Sequence, residues 1–222
     1  MVSNKKAQIC ELLKGIETGE ASAVAVVNEE KYIQHNPQTH EGSEGLAALF
    51  KRLSKTAPRV NIVRVFEDGD YVFAHTEYDF ANSNIGFEVF RFEDGLAVEH
   101  WDNIQQRQGP NPSGHSMVDG ATEATDLDKT QSNLEFVRSF VEEILLNREF
   151  DKLEDYIDCE RFTEHNPRFS DGLSALHSAL SDHASNDGIT IQYDKMHRVL
   201  AEGDFVLSVS EGFLNGVHSS FY

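Results

Sequence analysis

Residues 65–73 spell Val-Phe-Glu-Asp-Gly-Asp-Tyr-Val-Phe, in which two apolar runs flank an Asp-Gly pair. Asp-Gly between alternating runs is a strong signal for a β-hairpin. The alternation continues outward on both sides and predicts four strands, at 60–66, 71–80, 87–92 and 96–104. A second Glu-Asp-Gly turn, at 93–95, joins the last two. The stretch therefore predicts an antiparallel sheet.

Upstream of these strands the apolar residues recur at helical spacing. Residues 9–16 and 46–53 each carry such a stripe, and Ser43 is the expected N-cap of the second helix. Helices followed by strands are typical of the α+β class. We expect a strongly curved antiparallel sheet wrapped against helices, with a ligand cavity between the two layers.

The chain contains a second copy of this pattern. Tyr-Ile-Gln-His-Asn-Pro at 32–37 is echoed by Phe-Thr-Glu-His-Asn-Pro at 162–167, and the hairpin at 65–73 is echoed at 199–207. Agreement in the same order at several places indicates a tandem duplication.

The duplication predicts a first domain at 1–106 and a second at 132–222, joined by a linker at 107–131. The linker is rich in Gly, Pro and Ser and is expected to be flexible. The second copy is expected to be incomplete at its C-terminal side, because the sequence stops before a counterpart of residues 100–102.

Composition excludes several function classes. The chain has 19 basic and 38 acidic residues, a formal charge of -19, so no nucleic-acid partner is expected. No apolar run approaches the roughly 18 residues of a membrane span, and no secretory signal is recognisable, so we expect no membrane partner and a cytoplasmic location. The two cysteines, Cys10 and Cys159, are expected to be reduced and packed.

The last strand of the first copy carries the main catalytic candidates. Alternation puts four of its residues on one face, namely Val98, His100, Asp102 and Ile104. If this face borders the cavity, desolvation raises the pKa of Asp102 toward the range of a general acid or base. The alternative is a buried His–Asp hydrogen bond that only fixes the sheet.

His35 is the third catalytic candidate, because Pro37 forces Asn36 out of the helical region and can hold the imidazole at the cavity mouth. The alternative is a His-Asn-Pro turn that merely ends a helix. Four more residues are expected to line the substrate pocket: Tyr32, Phe73, His75 and Phe90.

The remaining histidines are expected to be surface or incidental residues: His115, His177, His183, His197 and His218. No close pair of histidines at helical spacing is present, so we expect no metal site.

Taken together, these motifs resemble a known family. The Tyr-x-x-His-Asn-Pro segment and the strands that end in Phe-Arg-Phe-Glu-Asp-Gly and Glu-His-Trp-Asp are similar to the SnoaL-like polyketide cyclase group of the nuclear transport factor 2-like superfamily. The resemblance covers residues 5–106. It implies a cone-shaped α+β fold for each copy, pairing through sheets, and, in the enzyme members, acid/base chemistry by a pocket aspartate without a cofactor.

The expected function is that of a SnoaL-like cyclase or isomerase that closes a ring by aldol-type chemistry on a small hydrophobic carbonyl compound. Asp102 removes the proton α to a carbonyl, and His100 or His35 steadies the enolate, with no cofactor. The alternative is a non-catalytic module that binds a small ligand or a protein. The two copies are expected to form an intramolecular pseudo-dimer, or the chain to form a homodimer.

Overall fold

The computed structural model describes residues 4–80, 82–181 and 190–222, and the chain divides into two compact units. The first runs to Arg107 and includes Ala121–Glu123, whereas the second comprises Gln108–Gly120 and Ala124–Tyr222. In each unit a sheet packs on helices, which confirms the predicted α+β class. Among the described residues, no helix is long and apolar enough to cross a membrane.

The first unit holds two α-helices, α1 (Lys5–Thr18) and α2 (Gly42–Leu53). Short 3₁₀ helices follow at Ala21–Val26 and Ser54–Thr56. Its five strands are β1 (Ile33–Gln34), β2 (Arg59–Asp68), β3 (Tyr71–Asp79), β4 (Ser83–Glu93) and β5 (Leu96–Gln106). The sheet order is β1-β5-β4-β3-β2, with β1 parallel to β5 and all other pairs antiparallel.

The four long strands confirm the prediction from alternation. In the turn between β4 and β5, Asp94 and Gly95 both have left-handed φ, at 53° and 82°, as a tight two-residue hairpin requires. Bulges interrupt β2 after Ile62 and the β4–β5 pair after Arg91, and bulges increase the local twist and bend of a sheet. The expected N-cap at Ser43 is wrong, because α2 begins at Gly42.

The core of the first unit lies between the two helices and one face of the sheet. The stripe of α1 predicted from helical spacing is buried there: Ile9, Leu12, Leu13 and Ile16. Leu46 and Phe50 of α2 join it, and the sheet contributes Val72, Ala74 and Phe90. Burial of these side chains is the main free energy that holds helices and sheet together.

The second unit repeats the helix-then-strand order. Its α-helices are α3 (Thr130–Phe140) and α4 (Leu173–Ser181), and its strands are β6 (Ile191–Glu202), β7 (Phe205–Leu214) and β8 (Val217–Phe221). One π-helical segment at Val141–Leu146 and 3₁₀ helices at Leu127–Lys129 and Phe150–Asp155 lie between or before them. The three strands form an antiparallel sheet in the order β6-β7-β8.

The segment predicted as a linker has local structure of its own. Asn111 is only 4% exposed, and its side-chain oxygen accepts hydrogen bonds from the backbone N–H groups of Ser113 and His115. Its amide nitrogen donates to the carbonyl of Glu164, at 2.7 Å. Residues 108–120 belong to the second unit. Polar side chains make hydrogen bonds with the backbone of this segment, whereas its composition, rich in Gly and Pro, indicates only a flexible chain.

Two expectations about single residues need correction. His115 is not incidental, because its Nε2 lies 3.1 Å from Oδ2 of Asp171 and its Nδ1 lies 3.5 Å from Oδ2 of Asp119. Cys159 is exposed rather than packed. The prediction for His183 falls outside the described residues.

The contact of α1 with the following 3₁₀ helix makes a testable demand on Gly15. A Cβ atom at Gly15 would overlap the Cβ of Ala23. Helix propensity alone favours Gly15→Ala by about 1 kcal/mol, but we expect the overlap to dominate and to lower the free energy of unfolding by roughly 1–3 kcal/mol. Urea denaturation measures the change. The double variant Gly15→Ala/Ala23→Gly should recover part of the loss, whereas a stabilised Gly15→Ala protein would contradict this packing.

Candidate functional site

A cavity of about 380 Å³ opens between the helices and the sheet of the first unit. Its apolar wall comes from α1, α2 and the strands, and includes Leu12, Ile16, Phe50, Phe80 and Ile104. The polar lining comes mainly from β1 and the residues next to it and from β3, β4 and β5: Tyr32, Gln34, Asn36, Tyr78, Glu88, His100 and Asp102. A mostly apolar pocket with a few convergent polar groups is the usual form of a small-molecule site.

The structure brings four of the seven predicted site residues to this cavity: Tyr32, Phe90, His100 and Asp102. The same-face prediction for His100, Asp102 and Ile104 is correct in placement, since all three line the cavity. Val98 does not join them. Strand pairing passes from Glu99 to Ala97 across the bulge, and Ala97 takes the place in the core cluster.

The other three predicted residues, His35, Phe73 and His75, are not in the cavity lining. Alternation along the chain turns His35 away from its neighbours Gln34 and Asn36. His35 stacks on Trp101 with 4.9 Å between ring centroids, and its Nε2 lies 3.0 Å from Oε1 of Glu99. The expectation that His35 stands at the cavity mouth is therefore wrong.

Phe73 and His75 share the opposite face of β3 from Tyr78. His75 contacts Arg64 through Nδ1, at 3.1 Å, and packs its ring against Phe87. Both faces of β3 are buried, since Phe73 and His75 are only 5% and 3% exposed and Val72 and Ala74 are fully buried. Alternation alone thus separates the two faces of β3 but does not say which of them borders the cavity.

A hydrogen-bond chain buried in the cavity wall fixes where the protons lie. Oε1 of Gln34 accepts the backbone N–H of Asn36 at 3.0 Å and lies 2.9 Å from Nδ1 of His100. Because an oxygen that already accepts from a backbone N–H is a carbonyl oxygen, Nδ1 of His100 carries a proton and donates it.

The other ring nitrogen of His100 then shares a proton with Glu88. Nε2 lies 2.7 Å from Oε2 of Glu88, and the two side chains are only 8% and 4% exposed. The hydroxyl of Tyr78 donates to Oε1 of the same carboxylate, also at 2.7 Å. One proton between Nε2 and Oε2 satisfies both groups, so both ring nitrogens of His100 are engaged by protein groups and a cation would have to replace the shared proton.

Asp102 is the carboxylate that faces the cavity with one oxygen left over. Its Oδ2 accepts from the amide of Asn36 at 2.6 Å, while Oδ1 makes no hydrogen bond with a described residue. Burial raises the pKa of Asp102, and the negative charge of Glu88 raises it further, against the opposing effects of His100 and Asn36. A carboxylate with a raised pKa is a better proton acceptor near neutral pH than an ordinary aspartate.

Tyr32 offers the complementary group. Its hydroxyl is buried and has no hydrogen-bond partner among the described residues. Burial raises the pKa of Tyr32, and the charges of Glu88 and Asp102 raise it further, while the nearby Gln34 opposes the shift only in part. The phenol therefore stays protonated and can donate to an oxygen atom of a ligand.

Glu88, Gln34, Asn36 and Tyr78 were missed by the sequence analysis, although a signal for three of them was present. Glu88 precedes the predicted pocket residue Phe90 by two positions in a strand, and Gln34 and Asn36 follow Tyr32 at the same spacing. Glu88, His100 and Asp102 each offer a ligand atom within 4.8 Å of the others, the one such group found among the described residues, so this donor set is also close enough to hold a cation.

Comparison with known proteins gives a family match and several similar structures. Residues 11–100 match the sequence model of the SnoaL-like domain, which ends two residues before Asp102. TsrD from Streptomyces laurentii is 20% identical over 47% of this chain and 90% of its own, with a TM-score of 0.42. No curated protein matches the chain.

Two further solved structures are similar at the same level. An NTF2-like protein from Burkholderia xenovorans is 14% identical over 50% of this chain and 92% of its own, with a TM-score of 0.44. A candidate polyketide cyclase from Bacillus cereus is 18% identical over 44% and 72%, with a TM-score of 0.40.

The raised pKa of Asp102 predicts how stability depends on pH. Because burial disfavours the ionised carboxylate, folding is weakened once Asp102 ionises, and Asp102→Asn should stabilise the first unit at neutral pH. As the pH falls through the pKa of Asp102, the wild-type carboxyl becomes neutral and the advantage of the variant should disappear. Thermal unfolding from pH 3.5 to 8 measures this. The exposed Asp79→Asn is the matched control, and an equal pH profile for both variants would refute the assignment.

Proposed function

We propose that the first unit, whose residues 11–100 form a SnoaL-like domain, is an acid/base enzyme of the cyclase or isomerase type that acts on a small hydrophobic carbonyl compound. The observation that carries the proposal is the carboxylate of Asp102, which lies in a largely apolar cavity with Oδ1 unpaired among the described residues. No resident cofactor takes part in the proposed steps.

The reaction begins when Oδ1 of Asp102 accepts the proton α to a carbonyl group of the substrate. The C–H bond breaks, an O–H bond forms on Asp102, and the electron pair moves onto the carbonyl oxygen as an enolate. The hydroxyl of Tyr32 donates a hydrogen bond to that oxygen, since a preplaced donor in a dry site stabilises the developing charge. Burial of Tyr32 supports this role, because no described residue competes for its proton.

Ring closure then follows within the bound molecule. The enolate carbon attacks a second carbonyl of the same substrate, a C–C bond forms, and the new alkoxide takes the proton back from Asp102. An isomerisation would instead return the proton to a different carbon. Both outcomes use the same two side chains, and the shape of the cavity selects the fold of the substrate.

His100 is a positioning residue in this scheme. Both of its ring nitrogens are engaged, by Gln34 and by Glu88, so it does not reach the enolate as the sequence analysis expected. Its interaction with Glu88 holds the neighbouring strand residues of the site in register. Its positive charge, when it carries the shared proton, favours the ionised form of Asp102.

Two wider expectations stay proposals. We place the protein in the cytoplasm, and we propose that two SnoaL-like units pair, either within this chain or between two chains. Light scattering on the purified chain distinguishes a monomer from a dimer.

The direct test is proton exchange on a β-dicarbonyl probe in D₂O, followed by NMR. We expect wild-type protein to accelerate loss of the α-proton signal, and Asp102→Asn to lower the catalysed rate by about 10²- to 10⁴-fold, the usual contribution of a general base. Tyr32→Phe should lower it by about 10-fold or more, since it removes one hydrogen bond to the enolate oxygen. Asp79→Asn, an exposed carboxylate on the same sheet, should leave the rate unchanged.

The assay is run with and without a chelator. Equal rates for Asp102→Asn and wild type would refute the proposal. Loss of activity on chelation would instead assign the chemistry to a cation held by Glu88, His100 and Asp102. If the wild-type protein and its variants bind the probe but none of them accelerates exchange, the result would favour the non-catalytic alternative.

A further inference from the structure

The second unit encloses a cavity of its own, with a volume of about 500 Å³. Aromatic and aliphatic side chains form most of its wall, among them Phe136, Phe140, Phe169 and Tyr193, and Arg148 also lines it. Its size lies in the range of pockets that take small organic ligands. This cavity is separate from the site of the proposed function, since all of its lining residues belong to the second unit.

The duplicated motif supplies the polar end of this cavity as it does in the first. Phe162, Glu164 and Asn166 stand at the positions of Tyr32, Gln34 and Asn36, and all six line their own cavities. Phe162 lacks the hydroxyl of Tyr32, and Glu164 brings a carboxylate where the first unit has an amide. The second cavity therefore has the same loop with different chemistry.

Glu164 is held by the loop through one oxygen only. Its Oε1 accepts from the backbone N–H groups of His165 and Asn166, at 2.9 Å and 2.8 Å. Its Oε2 makes no hydrogen bond with a described residue. The charge of Glu164 also acts on Tyr193, which lines the same cavity. Burial, together with this charge, raises the pKa of Tyr193 to about 12.

Asn166, two positions along the loop, presents a donor to the same cavity. Its Oδ1 accepts the backbone N–H of Arg168 at 3.1 Å, which leaves the Nδ2 group. The corresponding Nδ2 of Asn36 donates to Asp102 in the first cavity. Among the described residues of the second unit, no carboxylate takes this place, so Nδ2 of Asn166 is available to a ligand.

We propose that the second cavity binds an aromatic ligand that carries one hydroxyl group. The hydroxyl hydrogen is donated to Oε2 of Glu164, and the hydroxyl oxygen accepts from Nδ2 of Asn166, while the rings lie against the aromatic wall. A hydroxyl is the small group that donates and accepts at a single atom. An ammonium group would leave Nδ2 without an acceptor, and a carboxylate seated at Oε2 would be repelled by Glu164, although Arg148 elsewhere in the lining would attract it.

The test compares 2-naphthol with 2-methoxynaphthalene, which keeps the rings and the oxygen but cannot donate. Binding to the full chain is measured by calorimetry and ligand fluorescence. Glu164→Gln keeps the oxygen that holds the loop and replaces the free acceptor by an NH₂ group. We expect it to weaken 2-naphthol binding about 10-fold, equivalent to about 1.4 kcal/mol, and to leave 2-methoxynaphthalene binding unchanged. Equal effects on both probes would overturn the proposal.

Matched cavity-filling variants locate the bound molecule. Ala179→Trp fills the second cavity, and Leu49→Trp fills the first at the equivalent position of the repeat. The binding of 2-naphthol that Glu164→Gln weakens is the binding assigned to the second cavity. We expect this binding to be lost in Ala179→Trp and kept in Leu49→Trp. The reverse pattern, or binding unaffected by Ala179→Trp, would overturn the assignment. If circular dichroism shows that Ala179→Trp does not fold, the comparison of Glu164→Gln with wild type decides alone.

Discussion

Two carboxylates face each other across neighbouring strands in the first unit, and the arrangement of its site follows from the need to hold them there. Glu88 of β4 and Asp102 of β5 are direct cross-strand partners. Like charges in that position destabilise a sheet, and burial makes the repulsion stronger. Three interactions among the described residues offset this repulsion. Glu88 shares a proton with His100 and accepts a hydrogen bond from the hydroxyl of Tyr78, and Asp102 accepts one from the amide of Asn36. His100, Tyr78 and Asn36 therefore each offset part of the cost of burying the two carboxylates.

Glu88 and Asp102 do not have equal numbers of hydrogen-bond partners, and this difference makes the site chemically useful. Glu88 has a hydroxyl and an imidazole as partners, whereas Asp102 has a single amide and a cavity on its other side. The carboxylate with fewer partners bears the cost of desolvation, and its pKa rises. A carboxylate with a raised pKa and an oxygen left over is typical of acid/base sites, since a fully hydrogen-bonded group has nothing left for a substrate.

Much of the fold was predictable because the periods of this sequence are clear. The turns around 69 and 94, the four long strands and the stripe of α1 all follow from local patterns, and so does the shared face of His100 and Asp102. What local pattern could not supply is which of the two buried faces of β3 borders the cavity, so Phe73 and His75 were predicted in place of Tyr78. His35 was misplaced for a related reason. The His-Asn-Pro segment was interpreted either as a rigid junction at the cavity mouth or as a turn that ends a helix. In the structure Ile33 and Gln34 pair with β5, and Tyr32, Gln34 and Asn36 line the cavity while His35 does not.

Comparison of residues 32–38 with residues 162–168 distinguishes the hydrogen bonds that the loop backbone requires from the polar groups that each cavity presents. Oε1 of Gln34 accepts the backbone N–H of Asn36, and Oε1 of Glu164 accepts that of Asn166. In both copies the next turn is closed by the asparagine oxygen, which accepts from Gln38 or Arg168. The backbone thus requires one acceptor oxygen at the first position and one at the third. The second atom of each side chain is not bound by that requirement, so an amide or a carboxylate satisfies the loop equally while changing the polarity of the cavity. A loop with these hydrogen bonds can present either an amide or a carboxylate to its cavity without a change of backbone.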